Sequence, residues 1–306
     1  MKAILSVRDL ARRIGTPVER LREIIKAIES HYRFWSKINQ KTGKVRHMRV
    51  PDDELKGIQR RLTANVLSPL GLGDIAHGGV RGRSARSNAE QHVGQPCVVT
   101  LDVKDFFPNV RHYMIYRMLR HELGFGRDAA SLITRLTTLH GELPQGAPTS
   151  TVLANLILAQ SVDGPLSLAA QRIGVRVTRF VDDITLSGAN PRPLINVTAR
   201  LLSRRRLPMY RKKARFHSKP KLRITPRSRA QEVTGLTINA TTGLSIPRGR
   251  REAVRAAIFQ LRNTSARGDE RNAAINSIRG RIAHVREFNP RAAARLEKQL
   301  NASLSR

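Results

Sequence analysis

Two short runs rich in β-branched residues, each ending in acid, constrain the fold of this chain more than any other feature. Residues 97–101 lead into Asp102, and residues 175–180 lead into Val181-Asp182-Asp183 before the apolar Ile184-Thr185-Leu186. Both read as strands, and the second as one arm of a hairpin with two carboxylates at its tip. Between them, residues 113–123, 129–140 and 151–168 carry apolar side chains at helical spacing. Strands separated by helices predict an α/β or α+β centre, a sheet covered by helices.

The aspartates stand out because acid is scarce. The 306 residues hold 56 Lys and Arg against 23 Asp and Glu, a formal charge of +33, which calls for a polyanionic partner. A hydrophobic content of 40% supports a true core and excludes a wholly disordered basic tail. Aromatic residues, at 4%, are too few for a surface built mainly on stacked rings. The lone Cys97 has no disulfide or zinc-cluster partner, which suits a reducing cytoplasm, and it reads as a small buried apolar residue. Residues 1–10 lack the hydrophobic region of a secretory signal. The uncharged stretch 143–162 is interrupted by Pro144, Gln145, Pro148, Asn155 and Gln160, so it reads as core and not as a membrane span. A cytoplasmic protein without membrane contact is the expectation.

Residues 7–28 show two short helical patterns divided by Gly15-Thr16-Pro17, with Thr16 as a cap and Pro17 in a first turn. A DNA-reading helix-turn-helix fits this pattern, but a two-helix preamble packed on a larger domain is the commoner outcome. Residues 31–51 read as a basic hairpin turning at Thr42-Gly43-Lys44, and 53–70 as helix. The loop 71–86, rich in Gly and Arg, is suited to bring backbone amides and guanidinium groups to a phosphate chain. After Pro226 a strand pair, 233–239 and 243–247, is expected to close the central sheet. From Arg250 onward arginine-studded helices form a separate basic domain.

Three anions gathered near a core are costly unless cations accompany them. Two Mg²⁺ ions, held by a few carboxylates while also gripping substrate phosphates, meet that need. Metals about 4 Å apart activate an attacking hydroxyl and stabilise leaving pyrophosphate, which is nucleotidyl transfer. Alone, Asp102 would read as a turn residue or an arginine partner; jointly with Asp182 and Asp183 the pattern points to metal chemistry.

At this point the chain resembles the reverse transcriptases, and within them the bacterial retron reverse transcriptases. Val99-Thr100-Leu101-Asp102-Val103-Lys104-Asp105-Phe106-Phe107 resembles the first catalytic palm motif. Leu143-Pro144-Gln145-Gly146-Ala147-Pro148-Thr149-Ser150 resembles the substrate-positioning block, and Phe180-Val181-Asp182-Asp183 the second catalytic motif, where the family usually has Tyr-Ala-Asp-Asp. Both carboxylates survive that change, while a phenolic hydroxyl is lost and Val181 is bulkier than Ala. Asn88-Ala89-Glu90-Gln91-His92 and Val233-Thr234-Gly235 resemble the retron Asn-Ala-x-x-His and Val-Thr-Gly elements.

The resemblance implies a right-hand polymerase: an N-terminal helical preamble (1–30), fingers (31–95), a palm of antiparallel sheet plus helices (96–247, with a helical insertion near 113–143) and a helical thumb (248–306). It implies that Asp102, Asp182 and Asp183 bind two Mg²⁺, with the Val103 carbonyl a further candidate ligand, and that Phe107 excludes the 2′-hydroxyl of ribonucleotides. Phe106 adjoins it, and alternation along an extended segment would let only one ring face the nucleotide. Gln145 is placed near the nucleotide sugar, with Gly146 and Pro148 shaping its loop. Arg46 is the candidate clamp for the triphosphate, with Lys44 assisting. Lys213 resembles the lysine that protonates pyrophosphate, and Lys212 beside it is the alternative. Asn88, His92, Val233, Thr234, Gly235, Arg255, Arg262 and Arg279 are the candidates for RNA contact; some thumb arginines are merely solvated.

By the same resemblance the partners are deoxynucleoside triphosphates, a structured noncoding RNA that serves as template and primer, the DNA joined to it, and a separate effector protein in antiphage defence. The likeness runs to Leu300 and leaves no room for an endonuclease, integrase or maturase domain. Two other readings compete: another small bacterial reverse transcriptase, defence-associated or intron-derived, and a noncatalytic RNA-binding scaffold.

Overall fold

The computed structural model describes residues 3–38, 43, 45–209, 222–240, 243–263 and 267–304. They form two compact units: the first combines residues 1–84 with 96–224, the second residues 85–95 with 225–306.

The first unit begins with α1 (Val7–Ile14) and α2 (Val18–Lys26). Ser6 caps α1 by accepting the Asp9 N–H, and Gly15 ends it in the left-handed region at φ 59°, where only glycine is free of strain. Leu10, Ile14, Leu21 and Ile24 are completely buried, each such side chain worth about 1.5–3 kcal/mol on leaving water. The pair packs on α3 (Asp53–Leu62) and α7 (Arg127–Thr137), as a preamble does. Thr16 does not cap α2: its hydroxyl lies 3.4 Å from the Ile14 carbonyl, accepts from Arg61, and leaves Pro17 at the N-cap.

Strands β1 (Tyr32–Ile38) and β2 (Val45–Pro51) form the expected basic hairpin, in antiparallel register from Tyr32 opposite Pro51 to Ile38 opposite Val45. Of its turn, Thr42 and Lys44 lie outside the described residues. In the loop that follows, Arg83 does not stand ready for phosphate. Its guanidinium donates to the carbonyls of Gly73, Asp74 and Ala76 and pairs with the Asp74 carboxylate at 3.3 Å. Helix α4 (Ala85–Glu90) belongs to the second unit.

The first unit's sheet places β5 (Asp183–Gly188) between β3 (Cys97–Asp102) and β4 (Arg176–Phe180), all antiparallel. Cys97 is half-buried, not buried, because it opens β3 at the sheet's end opposite Gly188. The covering helices are α5 (Phe106–Asn109), α6 (His112–Arg117), α7, α8 (Ser150–Leu158), α9 (Gly164–Gln171) and α10 (Pro193–Arg204). Three of the expected helices are interrupted by π-turns, Thr63–Leu67 after α3, Met118–Glu122 after α6 and Ala159–Asp163 between α8 and α9. A π-turn inserts a residue and rotates the faces that follow, which periodicity alone does not register. The stretch Ser150–Gln171 is long and apolar enough to cross a membrane, but every residue of α8 except Thr151 is buried inside the protein.

β6 (Arg223–Pro226) is the fourth strand of the first unit's sheet, next to β3, and from it the chain runs on into the second unit. There β7 (Glu232–Val233), β8 (Leu236–Ala240) and β9 (Gly243–Ser245) form their own three-stranded sheet and do not close the β3–β5 sheet, contrary to the sequence expectation. The apolar run was misleading because Thr234 and Gly235, both at positive φ (46° and 79°), fold it into a hairpin with Val233 opposite Leu236. Helices α11 (Arg248–Arg262), α12 (Gly268–Phe288) and α13 (Pro290–Leu304) pack together around Val254, Ile258, Ile282 and Leu296.

Candidate active site

The β4–β5 hairpin pairs Phe180 with Asp183, so Val181 and Asp182 are its two-residue loop. Such a loop must follow the right-handed twist of its strands, which asks for positive φ at its first residue when the turn is of type II′. Val181 takes φ 61°. A β-branched residue there carries a backbone cost of roughly 1–3 kcal/mol, sustained only when surrounding contacts impose it. Those contacts come from below: a Cβ at Gly78 would sit 2.6 Å from the Val181 nitrogen, so only glycine fits under the turn. Residues 75–77 grip the end of β4, Arg179 donating its N–H to the Ile75 carbonyl and His77 donating its N–H to the Arg179 carbonyl.

Across the sheet the register of β3 on β5 sets Asp102 directly opposite Asp183, and the Val103 N–H donates to the Asp182 carbonyl at 3.3 Å. All three aspartates therefore meet at one end of the sheet. Asp102 is 9% exposed, Asp182 half-buried and Asp183 exposed.

Asp102 and Asp182 line a cleft of about 950 Å³, together with Arg46, Phe107 and Gln145; Asp183 lies beside it. The two adjacent rings differ in burial: both line the cleft, but Phe106 is buried in the core while Phe107 is half-buried. They sit on the short helix α5, not on an extended segment. Asp105, at φ 41°, makes the bend from β3 into α5. The Gln145 loop is fixed against β2 by the Arg49 N–H, which donates to the Gln145 carbonyl at 2.8 Å. Gly146, at φ 118°, lets the loop approach β2, since a Cβ there would meet Val50 at 3.1 Å and the Arg49 carbonyl at 3.2 Å.

Lys56 and Arg60 also line this cleft and were not singled out from the sequence. Their i, i+4 spacing on α3 was the available signal, putting both on one helix face. Arg49 is not a free cation for substrate: it pairs with Glu142, which also takes Arg111 at 3.3 Å. Lys213 and Lys212 lie outside the described residues.

Among the described residues, no group of three or more His, Cys, Asp or Glu side chains stands ready to hold a metal ion alone. Mg²⁺ does not need one, since it binds through one or two carboxylates and completes its shell with water and substrate phosphate. Carboxylates at a basic cleft, in a unit otherwise rich in arginine, fit that donor set.

In the second unit α4 packs against β7, β8 and β9, and the Thr234 hydroxyl donates to the Ala85 carbonyl at 2.8 Å. This joins Asn88 and His92 to Val233, Thr234 and Gly235, pieces far apart in sequence. Asn88, His92 and Val233 are fully buried, so their side chains face the interior, while Thr234 and Gly235 are partly exposed. Gly235 takes φ 79°, where an L side chain is strained, and a Cβ there would also push on the movable Arg250 guanidinium. Arg255 and Arg279 are exposed on α11 and α12; Arg262 donates to the Ser303 hydroxyl at 2.8 Å.

Residues 37–237 match the family model for reverse transcriptase (RNA-dependent DNA polymerase). The chain belongs to the reverse transcriptase family. Within that family it is similar to the Retron Mx65 reverse transcriptase of Myxococcus xanthus, 35% identical over 94% of this chain and 66% of the relative. It is similar also to the Retron Mx162 reverse transcriptase of the same organism, 33% identical over 93% of this chain and 64% of the relative. The Retron Ec86 reverse transcriptase of Escherichia coli is 30% identical over 84% and 78%. The chain thus spans just under two thirds of the length of the two Myxococcus relatives.

Proposed function

We propose that the chain is an RNA-directed DNA polymerase of retron type, copying a structured noncoding RNA into DNA that stays joined to it. The observation that carries this reading is the pairing of Asp102 with Asp183, with Asp182 turned to a cleft that also holds Arg46, Phe107 and Gln145. In right-hand terms the β1–β2 hairpin is the fingers, the β3–β5 sheet with its helices the palm, and α11–α13 the thumb.

Asp102, Asp182 and Asp183 would hold two Mg²⁺. Bound there, the ions lower the pKa of the primer hydroxyl and neutralise charge on the leaving pyrophosphate. The protein's own groups do the rest. Arg46 offers forked donors to the triphosphate, and Lys56 and Arg60 add positive charge along the same cleft. Phe107 fills the space a 2′-hydroxyl would need, and the pinned Gln145 loop orients the sugar. Exposed thumb arginines such as Arg255 and Arg279 bind nucleic-acid backbone, and the Thr234-Gly235 turn is the exposed part of the RNA-recognition element.

Retron identity brings priming from a guanosine 2′-hydroxyl, a branched RNA–DNA product, and work in the cytoplasm with a separate effector protein against phage. Sequencing the nucleic acid that copurifies with the chain tests this. A single structured RNA joined to short DNA is expected. Recovery of unrelated RNAs, with primer extension intact, would leave a reverse transcriptase of another bacterial class. No extension that depends on Asp102 would leave only an RNA-binding scaffold.

A further inference from the structure

Among the described residues the largest fully buried side chain is an arginine, Arg179, three residues before Asp182. Its five N–H donors are all directed at acceptors. Nε and Nη2 form a two-pronged pair with Asp163, at 3.0 and 2.7 Å. Nη1 donates to the Asn155 side-chain oxygen at 2.5 Å and to the Val181 carbonyl at 2.9 Å, and Nη2 reaches the Asn155 carbonyl at 3.4 Å. Asn155 in turn donates to the Gly78 carbonyl at 2.8 Å, and Gly78 is the residue in contact with the underside of Val181.

The ion pair is 1% and 6% exposed. Burying two charges is often no more stabilising than packing apolar side chains in the same volume, so stability alone does not account for it. What the pair does is lock the guanidinium by its Nε and Nη2 side, so that the remaining nitrogen, Nη1, is held against the Val181 carbonyl inside the strained turn. Asp163 reaches it because it ends the π-turn Ala159–Asp163, which rotates that carboxylate inward.

We infer that Arg179, locked by Asp163 and Asn155, is a positioning residue that holds Val181 in its left-handed conformation and so fixes the direction of the Asp182 and Asp183 carboxylates. The inference rests on the polymerase reading of those aspartates. Arg179 touches no substrate; it acts through the turn.

The test is extension of oligo(dT) on poly(rA) by the full chain, with kcat, the KM for dTTP, the half-saturating Mg²⁺ concentration and the melting temperature measured together. The double variant Arg179→Met/Asp163→Leu removes both charges and keeps the volume, leaving no unpaired ion. Its kcat is expected to fall roughly 10- to 100-fold, with the dTTP KM within about twofold of wild type and the Mg²⁺ requirement raised. Adding Val181→Gly, which removes the steric penalty of positive φ, should recover roughly tenfold of the lost kcat. A loss from general loosening of the fold would not be recovered by a glycine. Arg179→Lys, which keeps a charge opposite Asp163 but has no fork, should also lose kcat, and it serves if the double variant does not fold. Wild-type kcat in any folded variant, or no recovery on adding Val181→Gly, overturns the inference. Failure of the wild-type chain to show Asp182-dependent extension overturns the polymerase reading and this inference with it. An active wild type beside equally active variants overturns this inference alone.

Discussion

Asp102 and Asp183 are cross-strand partners, the last residue of β3 facing the first residue of β5 in an antiparallel pair. Like charges placed directly opposite are destabilising in a sheet, so this pairing is one that a bound cation relieves. A consequence is that removing one charge should not harm the fold. Asp102→Asn is expected to abolish primer extension, by about 1,000-fold or more, while holding or raising the melting temperature in the absence of divalent ions. Comparable activity in the variant would remove the aspartates from the chemistry.

Phe106 and Phe107 both line the cleft, but Phe106 is buried and Phe107 half-buried, so the two should respond differently to truncation. Phe107→Ala is predicted to raise ribonucleotide incorporation relative to deoxynucleotide roughly 10- to 200-fold, the range that one shape contact supplies. Phe106→Ala should instead lower stability by about 3–5 kcal/mol. Competition between rGTP and dGTP in single-nucleotide extension, read beside thermal denaturation, separates the two outcomes.

Arg46 lines the cleft, whereas the Arg49 guanidinium is held by Glu142. Arg46→Ala is expected to raise the KM for deoxynucleotides by roughly tenfold or more with little change in melting temperature, a lost charge-assisted contact being worth about 1.5–3 kcal/mol. Arg49→Ala should reverse that pattern, since it leaves Glu142 short of a partner while the backbone bond from residue 49 to the Gln145 carbonyl stays. Steady-state kinetics and melting curves on the two variants give a direct comparison.

Gly78 has the turn itself against the face where a Cβ would be: Val181 N at 2.6 Å, Val181 Cγ2 at 2.7 Å and Phe180 C at 2.8 Å. Gly78→Ala therefore has to move the Val181-Asp182 turn. Reduced kcat at normal RNA affinity is the expected result, and an active Gly78→Ala variant would show that the turn has slack.

Burial, assisted by Arg83, holds the His77 imidazole below its ordinary value of 6.5, and burial with Arg135 nearby does the same for His112. Both are therefore favoured neutral in the folded chain. Stability is full above the unfolded value and declines as the pH falls from there through the folded values, because the unfolded chain takes up these protons first. Melting temperature should drop between pH 7.5 and acid pH, and His112→Gln should flatten that drop; an unchanged slope would exclude His112 as a contributor.

Much of the first unit was legible because its signals are local. Alternating β-branched runs marked β3, β4 and β5, Gly15 marked the end of α1, and the joint pattern of Asp102 with Asp182-Asp183 marked the site. Cleft residues within the family's motifs, Phe107 and Gln145, were legible through the resemblance, and Arg46 from its basic hairpin. Lys56 and Arg60 were not, because a pair of cations on a helix face reads as ordinary solvated charge until β2 and α5 are seen around the same cleft. Nor was the site of the Thr234-Gly235 hairpin, where an apolar run concealed two residues of positive φ. The burial of Asn88 and His92 was equally hidden, since their neighbours in sequence are polar and the contacts that enclose them come from β7, β8 and β9.

Taken by itself, the sequence determined the charge that demands a polyanion, the strands and helices that alternate through the first unit, and the acids that end two of those strands; each follows from side-chain chemistry and spacing within a few residues. Tertiary structure decided which strand faces which, so that Asp102 met Asp183, which of two adjacent phenylalanines was left half-exposed, and that Arg179 would be buried against Asp163 under the Val181-Asp182 turn. Those outcomes depend on register and on non-local partners for buried charge, and a chain has no local pattern for either until its distant segments close upon one another.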